Sequence, residues 1–137
     1  MFKISTKGDY GLLLLSALAE KAGDGRTFIS LKEIARAKKL SLSYISQIII
    51  PLKNAGFVLS KEGKEGGYRL AKSPNKITIM EILEALEGPV SPVKCCCPGA
   101  SAKCGSEAEC NVKATWMGAK MMLMNFLRKK TLADTLR

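Results

Sequence analysis

Five cysteines lie within one short stretch of the chain, between Cys95 and Cys110. Thiolates are nucleophiles and metal ligands, and thiols also undergo reversible oxidation. An odd number of cysteines leaves one unpaired in any disulfide scheme, and five clustered cysteines are too few for a disulfide scaffold. The cluster therefore favours metal or redox chemistry over structural bridges.

The chain contains no histidine. This absence excludes serine and cysteine nucleophiles that are activated by an imidazole, zinc sites of the HExxH type and imidazole proton shuttles. We therefore do not expect an enzyme.

Composition and charge indicate one globular domain with an anionic partner. The 137 residues are 47% hydrophobic, and 22 Lys and Arg residues outnumber 12 Asp and Glu residues, which gives a formal net charge of +10. A chain of this length forms one domain, with or without an appendage, and buries a sizeable core. The positive excess favours a polyanionic partner, although it also serves solubility.

The first residues do not show the pattern of a secretory signal peptide. The longest uninterrupted apolar stretch near the start, Leu12–Leu15, is far too short to span a bilayer. We expect a cytoplasmic protein with no membrane partner, in surroundings that keep thiols reduced.

Apolar spacing predicts three helices in the first half of the chain. They span Ser5–Ala22, Leu31–Lys38 and, approximately, Leu42–Asn54. Ser30 and Glu33 have the spacing of a capping box, and Phe28–Ile29 is the candidate for a short strand. Pro51 is expected to kink or shorten the third helix. Two short helices joined by a tight turn are typical of a helix-turn-helix.

A β-hairpin is predicted to follow these helices. The strands Phe57–Ser60 and Tyr68–Ala71 flank a charged, glycine-rich tip, Lys61–Gly67. A helix-turn-helix followed directly by a hairpin is the winged-helix arrangement. Thr78 then begins a further helix with another capping box, and that helix runs through Leu86.

The C-terminal part is predicted to hold a long loop and a long helix. Residues 90–112 lose all hydrophobic periodicity, whereas Ala114–Lys130 is a helix that is apolar on most of its circumference. Such a helix needs cover on both sides, which a second subunit would supply; the alternative is a Met-rich core helix inside a monomer. We therefore predict a mainly α fold with a small β-hairpin wing. Residues 1–73 form a winged helix-turn-helix DNA-binding domain, and residues 74–137 form a connecting helix, the cysteine-rich loop and a dimerisation helix.

These segments together resemble the Rrf-two family of bacterial winged-helix transcriptional regulators, which includes IscR-, NsrR- and RirA-like members. The resemblance covers essentially the whole chain, including a cysteine loop that precedes a helix bearing Trp116. Its motifs are Ile4–Tyr10, Ile29–Ala35, Leu40–Ile45, Leu52–Val58, Gly66–Ala71 and Ile77–Ile82. It implies a homodimer that binds a pseudo-palindromic promoter site in double-stranded DNA.

A recognition helix reaches base edges and phosphates with residues near its N-terminal end. Polar side chains occupy that end of the third predicted helix, and the family contacts DNA from these positions: Ser41, Ser43, Tyr44 and Gln47. Glutamine can bond adenine bidentately, whereas serine and tyrosine more often hold phosphates. The lysines that we expect to add phosphate contacts are Lys32, Lys61 and Lys64.

The hairpin tip departs from the family pattern, in which an arginine and then a proline precede the glycines. Glu62 and Lys64 occupy the matching positions, and Glu65 replaces a glycine. The negative potential of a narrow minor groove attracts arginine and repels a carboxylate. We therefore expect Lys61 or Lys64 to contact the DNA backbone instead.

The resemblance also implies that the loop binds an iron–sulfur cluster of two or four irons, through which the protein senses redox state, iron or nitric oxide. The candidate thiolate ligands are Cys95, Cys96, Cys97, Cys104 and Cys110. The last two match the family spacing, and the first three all remain candidates for one position. Asp9 matches the position from which NsrR-like members donate a carboxylate across the dimer. Lys113 stands where IscR-like members carry a histidine ligand.

Three other interpretations of the cysteines remain open. Structural zinc is disfavoured because the loop lacks paired CxxC knuckles. A cluster-free thiol switch is favoured by the nearby positive charges of Lys94 and Lys103. The third is a basic cluster carrier or redox protein that docks on an acidic partner and does not bind DNA.

Overall fold

The computed structural model describes residues 3–22, 25–93 and 109–136. Its helices are α1 (Thr6–Lys21), α2 (Leu31–Lys38), α3 (Leu42–Asn54), α4 (Ile79–Glu87) and α5 (Lys113–Lys129). Its strands are β1 (Val58–Lys61) and β2 (Gly67–Leu70), and two short 3₁₀ helices cover Pro74–Lys76 and Leu132–Thr135. The described residues therefore form the predicted order of three helices, a hairpin, a connecting helix and a long C-terminal helix.

Side-chain caps fix where the helices begin. Ser5, Ser30, Ser41 and Thr78 each accept a hydrogen bond from a backbone N–H in the first turn. At Thr78 both bonds of the predicted capping box form. At Ser30 the structure records only the first of the two predicted bonds, and the Glu33 carboxylate pairs with Lys21 on α1 at 3.3 Å.

Pro51 does not shorten α3, which continues through it to Asn54. The predicted end of the helix at Asn54 is therefore correct, and of the two effects expected of Pro51, a kink or a shortening, the shortening does not occur. A proline removes one hydrogen bond from a helix, but tertiary packing supplies most helical stability in a folded protein. Side chains on both sides of the proline are buried and attach α3 to the core: Ile45, Ile48, Ile49 and Leu52.

The hairpin pairs β1 and β2 antiparallel, with Val58 opposite Leu70 and Lys61 opposite Gly67. The predicted short strand before α2 is reduced to a single bridge between Ile29 and Tyr68. The Tyr68 N–H donates to the Ile29 carbonyl at 2.8 Å, and the Ile29 N–H donates to the Tyr68 carbonyl at 2.9 Å. A Cβ on Gly67 would lie 2.3 Å from the Ile29 carbonyl oxygen. This close backbone approach requires glycine at the start of β2.

One hydrophobic core joins both parts of the chain. Most of its buried side chains come from α1, α3 and α4, and Leu127 of α5 and Leu132 after it join them. No polar or charged residue in the described part of the chain is buried. Side chains from both sides of residue 73 meet in this core. The division of the chain into two domains at that residue therefore stays a prediction.

The residues after α5 return to the start of α4, which the sequence did not predict. Thr78 and Thr131 form an antiparallel bridge, the Ile79 N–H donates to the Lys130 carbonyl at 2.9 Å, and the Leu132 N–H donates to the Ile77 carbonyl at 2.8 Å. Thr131 also begins a second complete capping box. The far end of α5 is therefore attached to the body of the fold. No helix in the described ranges is long and apolar enough to cross a membrane.

Candidate nucleic-acid interface and cysteine segment

Helix α3 presents a polar stripe to solvent opposite its buried face. Ser41 caps the helix, and Ser43 and Gln47 lie one turn apart and are both exposed. Ile50, one further turn along, is 58% exposed although it is large and apolar. The sequence analysis did not include Ile50 among the site residues, although its spacing from Gln47 indicates the same face.

Tyr44 differs from the other predicted contacts because its ring is half buried. The ring packs edge-on against Tyr10 of α1, with the centroids 5.2 Å apart and the planes at 80°. The Tyr44 backbone N–H donates to the Ser41 hydroxyl oxygen at 3.3 Å. Tyr44 therefore joins the first turn of α3 to α1, and its contact with DNA stays a prediction.

The three predicted lysines lie on different elements. Lys32 is exposed in the first turn of α2, Lys61 ends β1, and Lys64 is exposed in the hairpin tip. The Lys61 ammonium nitrogen lies 5.7 Å from the centre of the Phe28 ring, which limits the freedom of its side chain. The tip also exposes the two carboxylates that depart from the family pattern, so its charge is mixed.

Only part of the predicted ligand set falls within the described residues. Cys95, Cys96, Cys97 and Cys104 lie outside them. Cys110 has a free, half-buried thiol shortly before α5, and Asp9 is exposed in the first turn of α1. Among the residues that the structure describes, no three potential metal-ligating side chains converge.

A polar contact joins the end of α4 to the beginning of α1. Glu87 accepts hydrogen bonds from the backbone N–H of Ser5 at 2.9 Å and from the Ser5 hydroxyl. A Cβ on Gly8 would meet the same carboxylate, which would have to move aside, so the two helices approach closely here. Glu87 could not be predicted from the sequence, because a contact across 82 positions leaves no local pattern.

Comparison with known families agrees with this architecture. The model of the family described as "Rrf2: Iron-dependent Transcriptional regulator" matches residues 4–137. The chain belongs to the Rrf2 family. The expectations of a DNA-binding transcriptional regulator and of a protein that is not an enzyme are thereby confirmed. The alternative of a carrier that does not bind DNA finds no support.

Two proteins of the Rrf2 family differ in how much of their sequence is shared with this chain. The transcriptional regulator CymR of Bacillus subtilis is 51% identical over 92 residues, which are 67% of this chain and 65% of that protein. The transcriptional regulator IscR of Cereibacter sphaeroides is 32% identical over 135 residues, which are 98% of this chain and 87% of that protein. The match to CymR is thus stronger but spans just under two thirds of its length.

Solved structures confirm the winged helix-turn-helix fold. The structure of B. subtilis CymR, described as the global cysteine regulator of that organism, matches with a TM-score of 0.77 and 39% identity, covering 98% of this chain and 95% of the other. The oxidized form of Staphylococcus aureus CymR matches with a TM-score of 0.73 and 36% identity, covering 96% and 93%. The predicted mainly helical fold with a hairpin wing is correct.

Proposed function

We propose that this protein binds a specific promoter sequence in double-stranded DNA as a homodimer in the cytoplasm, and that the oxidation state of its cysteines controls that binding. The observation that carries the DNA-binding part is the exposed stripe of α3, which begins at Ser41 and continues through Gln47. This stripe lies on the second helix of the helix-turn-helix, which is the helix that enters the major groove in such proteins.

Each residue on the stripe has a role that follows from its chemistry. The Gln47 amide donates to and accepts from the edge of an adenine, which gives sequence selectivity. The hydroxyls of Ser41 and Ser43 donate to phosphates and fix the position of α3, while Tyr44 holds the helix against α1. The exposed Ile50 side chain suits contact with a thymine methyl group.

The lysines supply affinity that does not depend on sequence. Lys32 and Lys64 are exposed, and together with Lys61 they neutralise phosphates and release counterions. The exposed carboxylates of Glu62 and Glu65 are repelled by a narrow minor groove. The wing therefore contacts the DNA backbone beside the groove and does not read bases within it.

The homodimer is proposed from the surface of α5. Leu127 is the one buried residue of this 17-residue helix, and Met122 and Phe126 are 76% and 58% exposed. The other large apolar side chains that α5 exposes are Trp116, Met117 and Met121. An apolar surface of this kind marks a protein interface. A two-fold dimer then matches a pseudo-palindromic site with half-sites about one DNA turn apart, roughly 34 Å.

Cluster-free thiol chemistry is the form of regulation that the relatives support best. Both CymR structures match nearly the whole chain, one is described as a cysteine regulator, and the other is an oxidized form. In the proposed step a peroxide-class oxidant takes two electrons from two thiols. The two sulfurs form a disulfide, and the two protons leave with the reduced oxygen atoms of the oxidant as water. Cys110, with its free and half-buried thiol, is one candidate for such a thiol.

Iron–sulfur binding is the second candidate. It is supported by the description of the family as iron-dependent and by the five clustered cysteines, including the spacing of Cys104 and Cys110. Four of the five candidate thiolates lie outside the described residues, so we assign no step of the mechanism to a cluster.

DNA selection from a random duplex library tests the DNA-binding part. We expect the full-length protein to enrich one pseudo-palindromic sequence, with affinity that falls steeply as salt rises. Enrichment of no sequence over competitor DNA would contradict the proposal.

Anaerobic purification separates the two candidates for regulation. The thiol proposal predicts a colourless protein without iron or acid-labile sulfide, whose affinity for the selected DNA changes on peroxide treatment and returns with a thiol reductant. The variant Cys110→Ser tests whether that thiol takes part. A coloured protein with stoichiometric iron and sulfide would instead support the cluster, and a DNA affinity that is insensitive to oxidation would contradict the thiol switch.

A further inference from the structure

A cavity of about 520 Å³ lies behind the wing, away from the exposed stripe of α3. Its walls come from the C-terminal half of α1, from β2 and the residues that follow it, and from the last described residue, Leu136. This volume lies within the range of small-molecule binding sites in proteins, roughly 300–1,000 Å³. The cavity therefore has room for a small organic ligand.

The lining of the cavity combines an apolar wall with two cations. Leu18, Ala19 and Leu70 contribute to the apolar wall, and Arg69 and Lys72 bring positive charge. None of the described residues that line it carries a carboxylate. An apolar pocket with a few charged groups that fix orientation is typical of ligand sites, and here both charged groups favour an anion.

Arg69 is incompletely paired by the protein. Its Nη1 donates to the Gly25 carbonyl at 3.0 Å, and the guanidinium lies over the Phe28 ring at 5.1 Å from its centre. Its Nε is buried and has no hydrogen-bond acceptor among the described residues. A buried charged donor without an acceptor is destabilising, and a guanidinium binds a carboxylate through two parallel N–H groups. Among the described residues the guanidinium has one recorded acceptor, the Gly25 carbonyl, and a carboxylate is the partner that a guanidinium binds most strongly.

We propose that this cavity binds a small organic carboxylate with an apolar body, with Arg69 and Lys72 pairing with the carboxylate and Leu18, Ala19 and Leu70 contacting the body. None of the residues proposed to contact DNA lines the cavity, although Arg69 shares the Phe28 ring with Lys61. The proposal goes beyond the regulation described above and does not depend on it, because ligand binding is measured on the protein without DNA.

Calorimetric titration of the reduced, full-length protein tests the site with three probes. Sodium hexanoate has both a carboxylate and an apolar body, hexanamide has the body without the charge, and inorganic phosphate has charge without the body. We expect saturable binding of hexanoate with a Kd on the order of 1 mM, as is typical of a ligand this small, and binding at least about tenfold weaker for the other two. Absence of saturable hexanoate binding, or equal affinity for hexanamide or phosphate, would overturn the proposal.

Variants locate the binding within the cavity. Arg69→Gln is expected to weaken hexanoate binding about tenfold or more, and Arg36→Gln, which makes the same change at an exposed position on α2, is expected to leave it unchanged. Because loss of Arg69 also removes its bond to Gly25, Ala19→Phe provides an independent test: it fills the cavity and keeps both cations. Circular dichroism establishes that each variant is folded. Hexanoate binding that persists unchanged in folded Ala19→Phe would overturn the proposal.

Discussion

The body of the fold, which comprises α1–α4 and the hairpin, buries its apolar residues, whereas helix α5 exposes most of its own. Helix α1 buries six of its 16 residues and α4 buries five of nine, whereas α5 buries one of 17. Yet α5 carries Trp116, Phe126 and four methionines. The body completes its core within one chain, and α5 has large apolar side chains that one chain leaves in water. The amino-acid composition of a helix thus shows how much apolar surface it has, but the fold is needed to show which neighbours cover that surface.

The largest expected effect lies in the body. Leu83→Ala on α4 removes a fully buried side chain, and we expect the free energy of unfolding to fall by about 2–5 kcal/mol. Leu59→Ala, the same change at a position that is 43% exposed on β1, is expected to lower it by less than about 1 kcal/mol. Urea unfolding at one fixed protein concentration measures both variants. If both variants lost the same free energy of unfolding, burial of Leu83 would not contribute more to stability than the exposed Leu59.

The next effect tests the surface of α5. Phe126→Glu places a charge in the proposed interface, and we expect the dimer dissociation constant to rise about 100-fold, or about 2.7 kcal/mol. Sedimentation velocity measures the shift from dimer to monomer, and circular dichroism is expected to report unchanged helix content in the body.

The matched control is Asn75→Glu, which adds the same charge at an exposed position before α4. We expect this variant to sediment as the wild type does. A wild-type protein that is monomeric at micromolar concentration would refute the assignment of α5 to a dimer.

A smaller effect separates DNA recognition from dimerisation. Gln47→Ala is expected to weaken binding to the selected DNA about tenfold, with little change in non-specific affinity, in the salt dependence or in the dimer equilibrium. Lys64→Ala is expected to weaken selected and non-specific DNA alike and to reduce the slope of log affinity against log salt by about one. Fluorescence anisotropy over a salt series distinguishes the two. If Gln47→Ala weakened binding to selected and non-specific DNA equally, Gln47 would be a phosphate contact and not a base contact.

The smallest effect compares stability at two pH values. The backbone hydrogen bond from Thr78, then its hydroxyl and the charge of Lys72, hold the pKa of Glu81 below its ordinary value against the opposing effect of partial burial. A lowered pKa stabilises the fold above the pKa of the unfolded chain, and this contribution is lost as the pH falls through the folded value. Glu81→Gln is therefore expected to lower stability by about 1 kcal/mol or less at pH 7, and the difference from wild type is expected to shrink below pH 4.

Glu84→Gln is the control for that comparison, because Glu84 lies exposed on the same helix outside the cap. Thermal unfolding at both pH values is the measurement. A Glu81→Gln deficit that is independent of pH would show that the charge of the carboxylate does not contribute to the cap.

Local features of this fold could be predicted from the sequence, and contacts between distant segments could not. The caps at Ser5 and Thr78 and the hairpin tip follow from residue types within a few positions of each other. Pro51 does not shorten α3, because its buried neighbours on that helix outweigh one lost hydrogen bond. The burial of Leu132 depends on the chain returning to α4, and no short pattern encodes that return.

The candidate site divides in the same way. The exposed positions of Ser43 and Gln47 follow from the helical period and the apolar residues opposite them. The half-buried ring of Tyr44 depends on Tyr10, which lies on another helix. The roles assigned to the cysteines depend on family resemblance, because spacing alone does not distinguish a cluster ligand from an oxidisable thiol.

The hydrogen bonds between Ser5 and Glu87 connect the beginning of α1 to the end of α4, so these two helix ends are expected to move together. The chain leaves α4 at this point and proceeds towards the cysteines, and α1 departs from it towards the ring of Tyr44. Any force that shifts the last turn of α4 must either carry the first turn of α1 along or break the hydrogen bonds between them. A displacement of the cysteine-bearing segment would therefore reach the helix proposed to contact DNA by a short covalent and hydrogen-bonded route.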